Sequence, residues 1–350
     1  MKNYQQSRKA FSIIEVIFVL IILGIISSIG SSIIVQVYES YITQNALYKV
    51  AIKTELIANQ LVNRLTYAIP LSTISKVTNA NGIWINPDNN LSIDAGNPPD
   101  EDANWIQLKN IMFGTSTFRT IEWIGYDNDS FSADRTAGWS GIANYNTSTN
   151  NILNTPDSNL SNTRDIILNL SNNRVDINNP ISTALPVNNS AVVIFKEKNN
   201  YFTGNSFYDP SCMGLINYTG ISVLNQDSSC IFPVQRASDT QLTFQRANES
   251  KWVTERYKLA WSAYAVVPEN PTDTDGDGDP DLWELAFYYN YQPWNGENYK
   301  AHGTRRLLMR NVSVFKFTKN GGIIQFKLCA SSQISTNNYI STCKEKVVLR

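Results

Sequence analysis

The chain has 350 residues, 42% of them hydrophobic and 17% charged, enough apolar material for a sizeable core and unlike a wholly disordered chain. Lys and Arg total 29 against 30 Asp and Glu, a formal net charge of -1, so nothing marks a basic surface for nucleic-acid phosphates. A single histidine, His302, nearly excludes His-based triads and His-rich zinc sites.

The chain opens on MKNYQQSRKA, whose only charges are Lys2, Arg8 and Lys9. Residues 11–38 follow, FSIIEVIFVLIILGIISSIGSSIIVQVY, with Glu15 the sole charged side chain. As a helix this stretch is about 42 Å long, more than the ~30 Å hydrocarbon core of a bilayer. Basic residues precede it and no further Lys or Arg occurs before Lys49, so the positive-inside rule places the N-terminus in the cytoplasm and the rest outside. A carboxylate in such a segment costs roughly 2.5–3.5 kcal/mol and demands a partner. No cation lies nearby in the segment. Cleavage just before Phe11 would create an α-amino group four residues from Glu15, and the amine of a neighbouring copy would then neutralise it. Ser28-Ile29-Gly30 offers the competing small-x-small site of an ordinary secretory signal, but the apolar run is too long for one and contains an acid.

The stretch RKA-FSIIEVIFVLIILGI resembles the leader and membrane segment of type IV pilins and type II secretion pseudopilins. The resemblance implies removal of residues 1–10 by a prepilin peptidase acting between Ala10 and Phe11, methylation of the new N-terminus, and an assembly role for Glu15 at mature position five. Ala10 stands where the family usually has Gly, and the proline that often kinks its membrane helix is absent. It also implies an α+β, pilin-like fold: a long helix, membrane-spanning over residues 11–38 and amphipathic over 39–69, packed on a mostly antiparallel β head of residues 70–350. In the second half Leu47, Val50, Ile57, Leu61, Leu65 and Ala68 recur at helical spacing, and Pro70 ends the run. One helix from 11 to 69 would be about 88 Å long.

Beyond Pro70 short aromatic and β-branched runs alternate with Asn, Gly, Asp and Pro, the pattern of strands and turns. GIWI at 82–85, NWIQLKNIMFG at 104–114, TIEWIGY at 120–126 and AVVIFK at 191–196 are the clearest. Residues 144–189 are rich in Asn, Ser and Thr and read as a long loop or widely joined strands, with DIILNL and RVDI as strand candidates. No repeat or domain hinge stands out. VSVFKFT and IIQFKLC, joined across Lys319-Asn320-Gly321-Gly322, predict a β-hairpin. RYKL, with LLMRNVSVFKF later, is similar to the large minor pseudopilin J and to PilW-type minor pilins, which sit at or near a tip complex.

Cys212, Cys230, Cys329 and Cys343 all fall on the extracytoplasmic side, where disulfides persist. Four cysteines allow three connectivities, of which sequence proximity favours Cys212–Cys230 and Cys329–Cys343. Neither pair has the short gap of a zinc site.

Residues 273–284, DTDGDGDPDLWE, match the twelve-residue calcium loop D-x-D-x-D-G-x5-E without a gap. The loop's geometry assigns carboxylate ligands to Asp273, Asp275 and Asp277 and a backbone carbonyl to Asp279. Asp281 binds directly or through water, and Glu284 closes the Ca2+ site with both oxygens. Gly278 supplies the sharp turn. The flanks are strand-like rather than helical, so the segment resembles thrombospondin type 3 and related bacterial DxDxDG loops. A solvated acidic turn is the alternative.

Gly138-Trp139-Ser140-Gly141 is not a nucleophile elbow, and no nucleophile–base pair is apparent. The expected function is therefore non-enzymatic: a minor pilin or pseudopilin that helps initiate or cap a type IV pilus, a type II secretion pseudopilus or a DNA-uptake pseudopilus. Its expected partners are other pilin or pseudopilin subunits, the prepilin peptidase and the inner membrane. The head would lie in the periplasm or outside the cell, at a filament tip. The competing function is a pilin-signal-anchored adhesin or ligand-binding module stabilised by calcium.

Overall fold

The computed structural model describes residues 12–69, 72–77, 105–107, 118–131, 138–179, 191–195, 213–215, 231–245, 253–278, 281–320, 323–335 and 338–349. Its first element, α1 (Ile13–Thr66), runs 54 residues, about 81 Å. It is the single described helix long and apolar enough to cross a membrane. The predicted helix is thus present, but it ends at Thr66, ahead of Pro70. Tyr67 closes it, its N–H donating to the carbonyls of Arg64 and Leu65. Val50, Thr54, Ile57, Ala58, Leu61 and Leu65 form the buried face, their spacing of three and four residues keeping them on one side.

That face lies on a sheet of eight antiparallel strands, ordered β13-β12-β11-β10-β9-β3-β1-β2. They are β1 (Ile74–Val77), β2 (Trp105–Gln107), β3 (Phe118–Gly125), β9 (Ser262–Thr272), β10 (Leu282–Tyr291), β11 (Thr304–Asn320), β12 (Ile323–Ser335) and β13 (Asn338–Leu349). The helix contacts β13, β12 and β11. Lys344 and Lys346 of the edge strand both reach Glu55 of α1, holding its carboxyl below the usual range, chiefly through the Lys346 hydrogen bond.

A second antiparallel sheet, ordered β4-β7-β6-β5-β8, comprises β4 (Ile152–Asn154), β5 (Val192–Phe195), β6 (Phe232–Ser238), β7 (Gln241–Phe244) and β8 (Tyr257–Ala260). Period-two alternation distributes side chains among three cores. Ile121 and Trp123 of β3, Val266 of β9 and Leu285 and Phe287 of β10 pack with α1. Their neighbours Ile124, Ala265, Val267, Ala286 and Tyr288 turn to the opposite face and meet Val192 and Ile194 of β5. The other side of β5, Val193 and Phe195, joins Trp139, Phe232 and Tyr257 in the third core. Buried on both faces, β5 is apolar at every position, as a strand between two cores must be. Glu122, fully buried in β3, accepts from the Tyr291 hydroxyl at 2.8 Å, which offsets part of the cost of its burial.

Two expectations need correction. DIILNL is not a strand but the end of helix α3 (Leu160–Leu170). The Asn159 side chain caps its first turn by accepting from Asn162 N–H, and Leu160, Thr163 and Ile167 form its buried face. RVDI forms no strand either: Val175 makes only an isolated bridge between two turns, and Arg164 clasps Asp176 beside it through two 2.8 Å hydrogen bonds. The absence of a visible hinge also has a structural reason, since β8 in one sheet and β9 in the other are separated only by Trp261. The expected C-terminal hairpin is present as β11 and β12, with Phe317 opposite Phe326 and Asn320 opposite Ile323.

Candidate functional site

At the helix start, Ser12 is the N-cap, its Oγ accepting from Ile14 N–H at 3.3 Å. The Glu15 carboxylate reaches back to accept from Ser12 N–H at 3.1 Å. This is a capping box, which satisfies two otherwise orphaned donors. Ser12-Ile13-Ile14-Glu15 has the S-x-x-E spacing that signals it, so the local partner of Glu15 was readable from the sequence and was missed. From Ile13 to Leu23 the large side chains of α1 are all exposed. Ala10 and Phe11, the expected processing junction, lie outside the described residues.

The acidic segment joins β9 to β10 as a hairpin turn, so its predicted strand flanks are present. Asp281 N–H donates to Thr272 O at 3.0 Å across its base. Gly276 and Gly278 take φ of 81° and 92°, a region closed to most side chains, which lets the backbone curl inward. The Asp273 carboxylate accepts from the N–H groups of Gly276 and Gly278 at 2.7 and 2.9 Å, and these bonds hold its pKa below the usual range. The Asp281 carboxylate accepts from the hydroxyl and N–H of Thr274 and is lowered likewise. Asp275 behaves oppositely. Its bond from Asp277 N–H pulls its pKa down, yet desolvation and the charges of Asp277, Asp281 and Asp273 together push it above the ordinary value.

Asp273, Asp275 and Asp281 each bring a carboxylate oxygen within 4.8 Å of the others. An all-oxygen, multiply charged donor set of this kind fits a hard divalent cation. Two expected ligands are not in the cluster. Asp277 is outside it, and Glu284 is held elsewhere: its carboxylate accepts from Asn270 at 2.8 Å and pairs with Arg305 at 3.0 Å and Arg310 at 3.2 Å. The physical reason is the ladder. Glu284 sits directly opposite Glu269, a like-charge pair that destabilises a sheet, and Arg305 bridges both carboxylates. Asn270 first, then Arg310 and Arg305, hold the Glu284 pKa low against its partial desolvation. Asp279 lies outside the described residues.

Cys329 and Cys343 face each other across β12 and β13 and form a disulfide, as sequence proximity favoured. The Cys212–Cys230 pairing lies outside the described residues.

A third feature was not foreseen. Along the flank of α1, over β9 and β10, a groove of about 430 Å³ is lined by Arg64, Tyr126, Asp129, Tyr264, Phe287 and Leu308. A recess of about 370 Å³ shares Arg64, Asp129, Tyr264 and Phe287 with it and adds Tyr289 and Arg306. Tyr264 and Phe287 stack at 5.7 Å with planes 12° apart, and Tyr289 extends the row 5.8 Å from Phe287. The Arg64 guanidinium rests over both rings, 5.8 and 5.7 Å from their centroids. Burial, opposed by the Arg64 charge, raises the Tyr264 pKa well above the ordinary tyrosine value, so its hydroxyl stays protonated. Asn128 and Asp129 are set at the rim by α2 (Asn128–Phe131), a turn pinned by the buried Asp127 carboxyl accepting from Ser130. Burial pushes Asp127 up to about 6. Only Arg64 and the aromatic run of β10 hinted at this groove in the sequence, and neither signal separates a groove from a core.

No protein-family model, no curated protein and no solved structure matches this chain.

Proposed function

We propose that this chain is a non-enzymatic minor pilin or pseudopilin subunit, anchored in the inner membrane by α1 with its head outside. It would help initiate or cap a type IV pilus, a type II secretion pseudopilus or a DNA-uptake pseudopilus. One observation carries the reading. Opposite the face that α1 buries on the sheet, Tyr41, Tyr48, Ile52 and Leu56 form an exposed apolar stripe, 48–67% accessible, continuing the membrane half above the bilayer. A helix apolar on the side facing away from its own head suits packing against helices of neighbouring subunits. In this proposal the prepilin peptidase cuts between Ala10 and Phe11. Calcium bound by Asp273, Asp275 and Asp281 braces the β9–β10 hairpin at its turn.

Coexpression with a prepilin peptidase should yield a chain that begins at Phe11 and carries a methylated amine. A mass spectrum placing the N-terminus near Ser31 would overturn the pilin reading.

Glu15 has two candidate roles, and two variants separate them. Gln retains the capping geometry, whereas Ala loses cap and charge together. If the carboxylate charge pairs with the amine of a neighbouring subunit, Glu15→Gln and Glu15→Ala should both lower recovery of partner pilins about tenfold or more. A charged hydrogen bond worth roughly 1.5–3 kcal/mol has that effect. Wild-type recovery with Glu15→Gln would reduce Glu15 to a cap.

A further inference from the structure

The groove beside α1 combines features that the assembly reading does not use. Arg164, Arg174, Arg236, Arg305 and Arg310 are each paired with a carboxylate. Arg64, Arg256 and Arg306 have no ion-pair partner among the described residues, and two of them, Arg64 and Arg306, line the recess that adjoins the groove. Arg306 lies directly opposite Phe287 in the β10–β11 ladder, which places it beside the aromatic row. Arg64 is held in place by the two rings beneath it, so its fork of N–H donors is oriented in advance. Asp129, also without an ion-pair partner among the described residues, lines both recesses and is exposed.

We propose that this groove binds an acidic saccharide, a short chain of hydroxylated rings bearing carboxylates, as in a uronic-acid oligomer. Two guanidinium groups call for an anion, and a planar carboxylate matches their fork. An ionised Asp129 accepts hydrogen bonds, so a ligand with donors gains a contact there that simple carboxylates and fatty acids lack, and sugar hydroxyls supply it. Tyr289 and Leu308, only partly buried beside the core, offer apolar surface for the C–H face of a sugar ring. The two adjoining recesses, each within the ~300–1,000 Å³ range of ligand sites, suit an oligomer better than one ring. An acidic peptide would supply carboxylates and backbone N–H donors, but no rigid ring with a C–H face to lie against Tyr289 and Leu308. The site is independent of the assembly role, since none of its residues belongs to the exposed stripe of α1.

Calorimetry on the full chain in detergent micelles tests the proposal, with trigalacturonate, a neutral trisaccharide and a short glutamate peptide as ligands. Trigalacturonate should bind, and the neutral sugar should bind about tenfold or more weakly, the scale of one charge-assisted contact. Arg306→Glu, at an exposed position, should weaken the uronide about tenfold or more while leaving the melting temperature unchanged. Arg64→Lys should also weaken it, by removing the planar fork but not the charge. Absence of uronide binding, equal binding of the neutral sugar, or uronide affinity unchanged in Arg306→Glu would each overturn the assignment. Competition by the glutamate peptide as strong as by the uronide would overturn it in favour of a polypeptide partner.

Discussion

Replacing Cys329 by Ala together with Cys343 by Ser should lower the stability of the folded chain by about 3 kcal/mol, the chain-entropy value for a closed loop of this size. The bond spans a sequence separation of 14 residues and joins directly opposed positions of β12 and β13. Its loss frees the denatured chain, and the native strands remain in register through their ladder. The consequence for function runs through β13, the edge strand whose Lys344 and Lys346 grip Glu55 of α1. Amide hydrogen exchange should therefore accelerate first along β13 and then along the buried face of α1 around Val50 and Ile57. Thermal unfolding of the full chain in detergent, oxidised wild type against the double variant, measures the stability change. Coincident melting curves would show that the ladder alone holds this edge.

Calcium should raise the stability of the wild-type chain relative to chelator, by ~2.7 kcal/mol when its concentration is one hundred times the dissociation constant. For extracellular modules that constant lies at roughly 10⁻⁴–10⁻³ M. The most informative variant is Asp275→Asn. Asp273 and Asp281 hold the turn through backbone and Thr274 hydrogen bonds, so their loss would confound ligand and scaffold. Asp275 instead bears the repulsion of its acidic neighbours. Asp275→Asn should melt no lower than wild type in chelator, and should lose most of the calcium response. Magnesium should substitute poorly, because it demands tight octahedral geometry and keeps its waters. Glu284→Gln reports whether the carboxylate now bound to Arg305 and Arg310 contributes: a weakened calcium response in that variant places Glu284 among the ligands. Equal melting of wild type with calcium and with chelator would leave the segment a solvated turn.

The sequence by itself determined the features whose signals are local. An apolar run followed by 3.6-residue periodicity specified α1, and alternation around Asn-Gly-Gly specified the β11–β12 hairpin. Glycines set among aspartates between two strand-like runs specified an acidic turn between β9 and β10, and short separation favoured Cys329–Cys343. The tertiary structure decided what depends on distant partners. DIILNL is too short for its period to settle, and became helical because Asn159 caps it and the third core receives Leu160 and Ile167. Trp261 divides a continuous run of strand residues between two sheets because β5, far away in sequence, pairs with β8 and not with β9. Glu284 fits the twelve-residue pattern, yet its side chain answers to Glu269 across the ladder and to Arg305 and Arg310 on the next strand. The groove's only traces in the sequence, Arg64 and the aromatic run of β10, do not distinguish a groove from a core. Arg64, Asp129, Phe287 and Arg306 come from a helix, a turn and two strands, and only the packing of α1 beside β10 brings them to one surface.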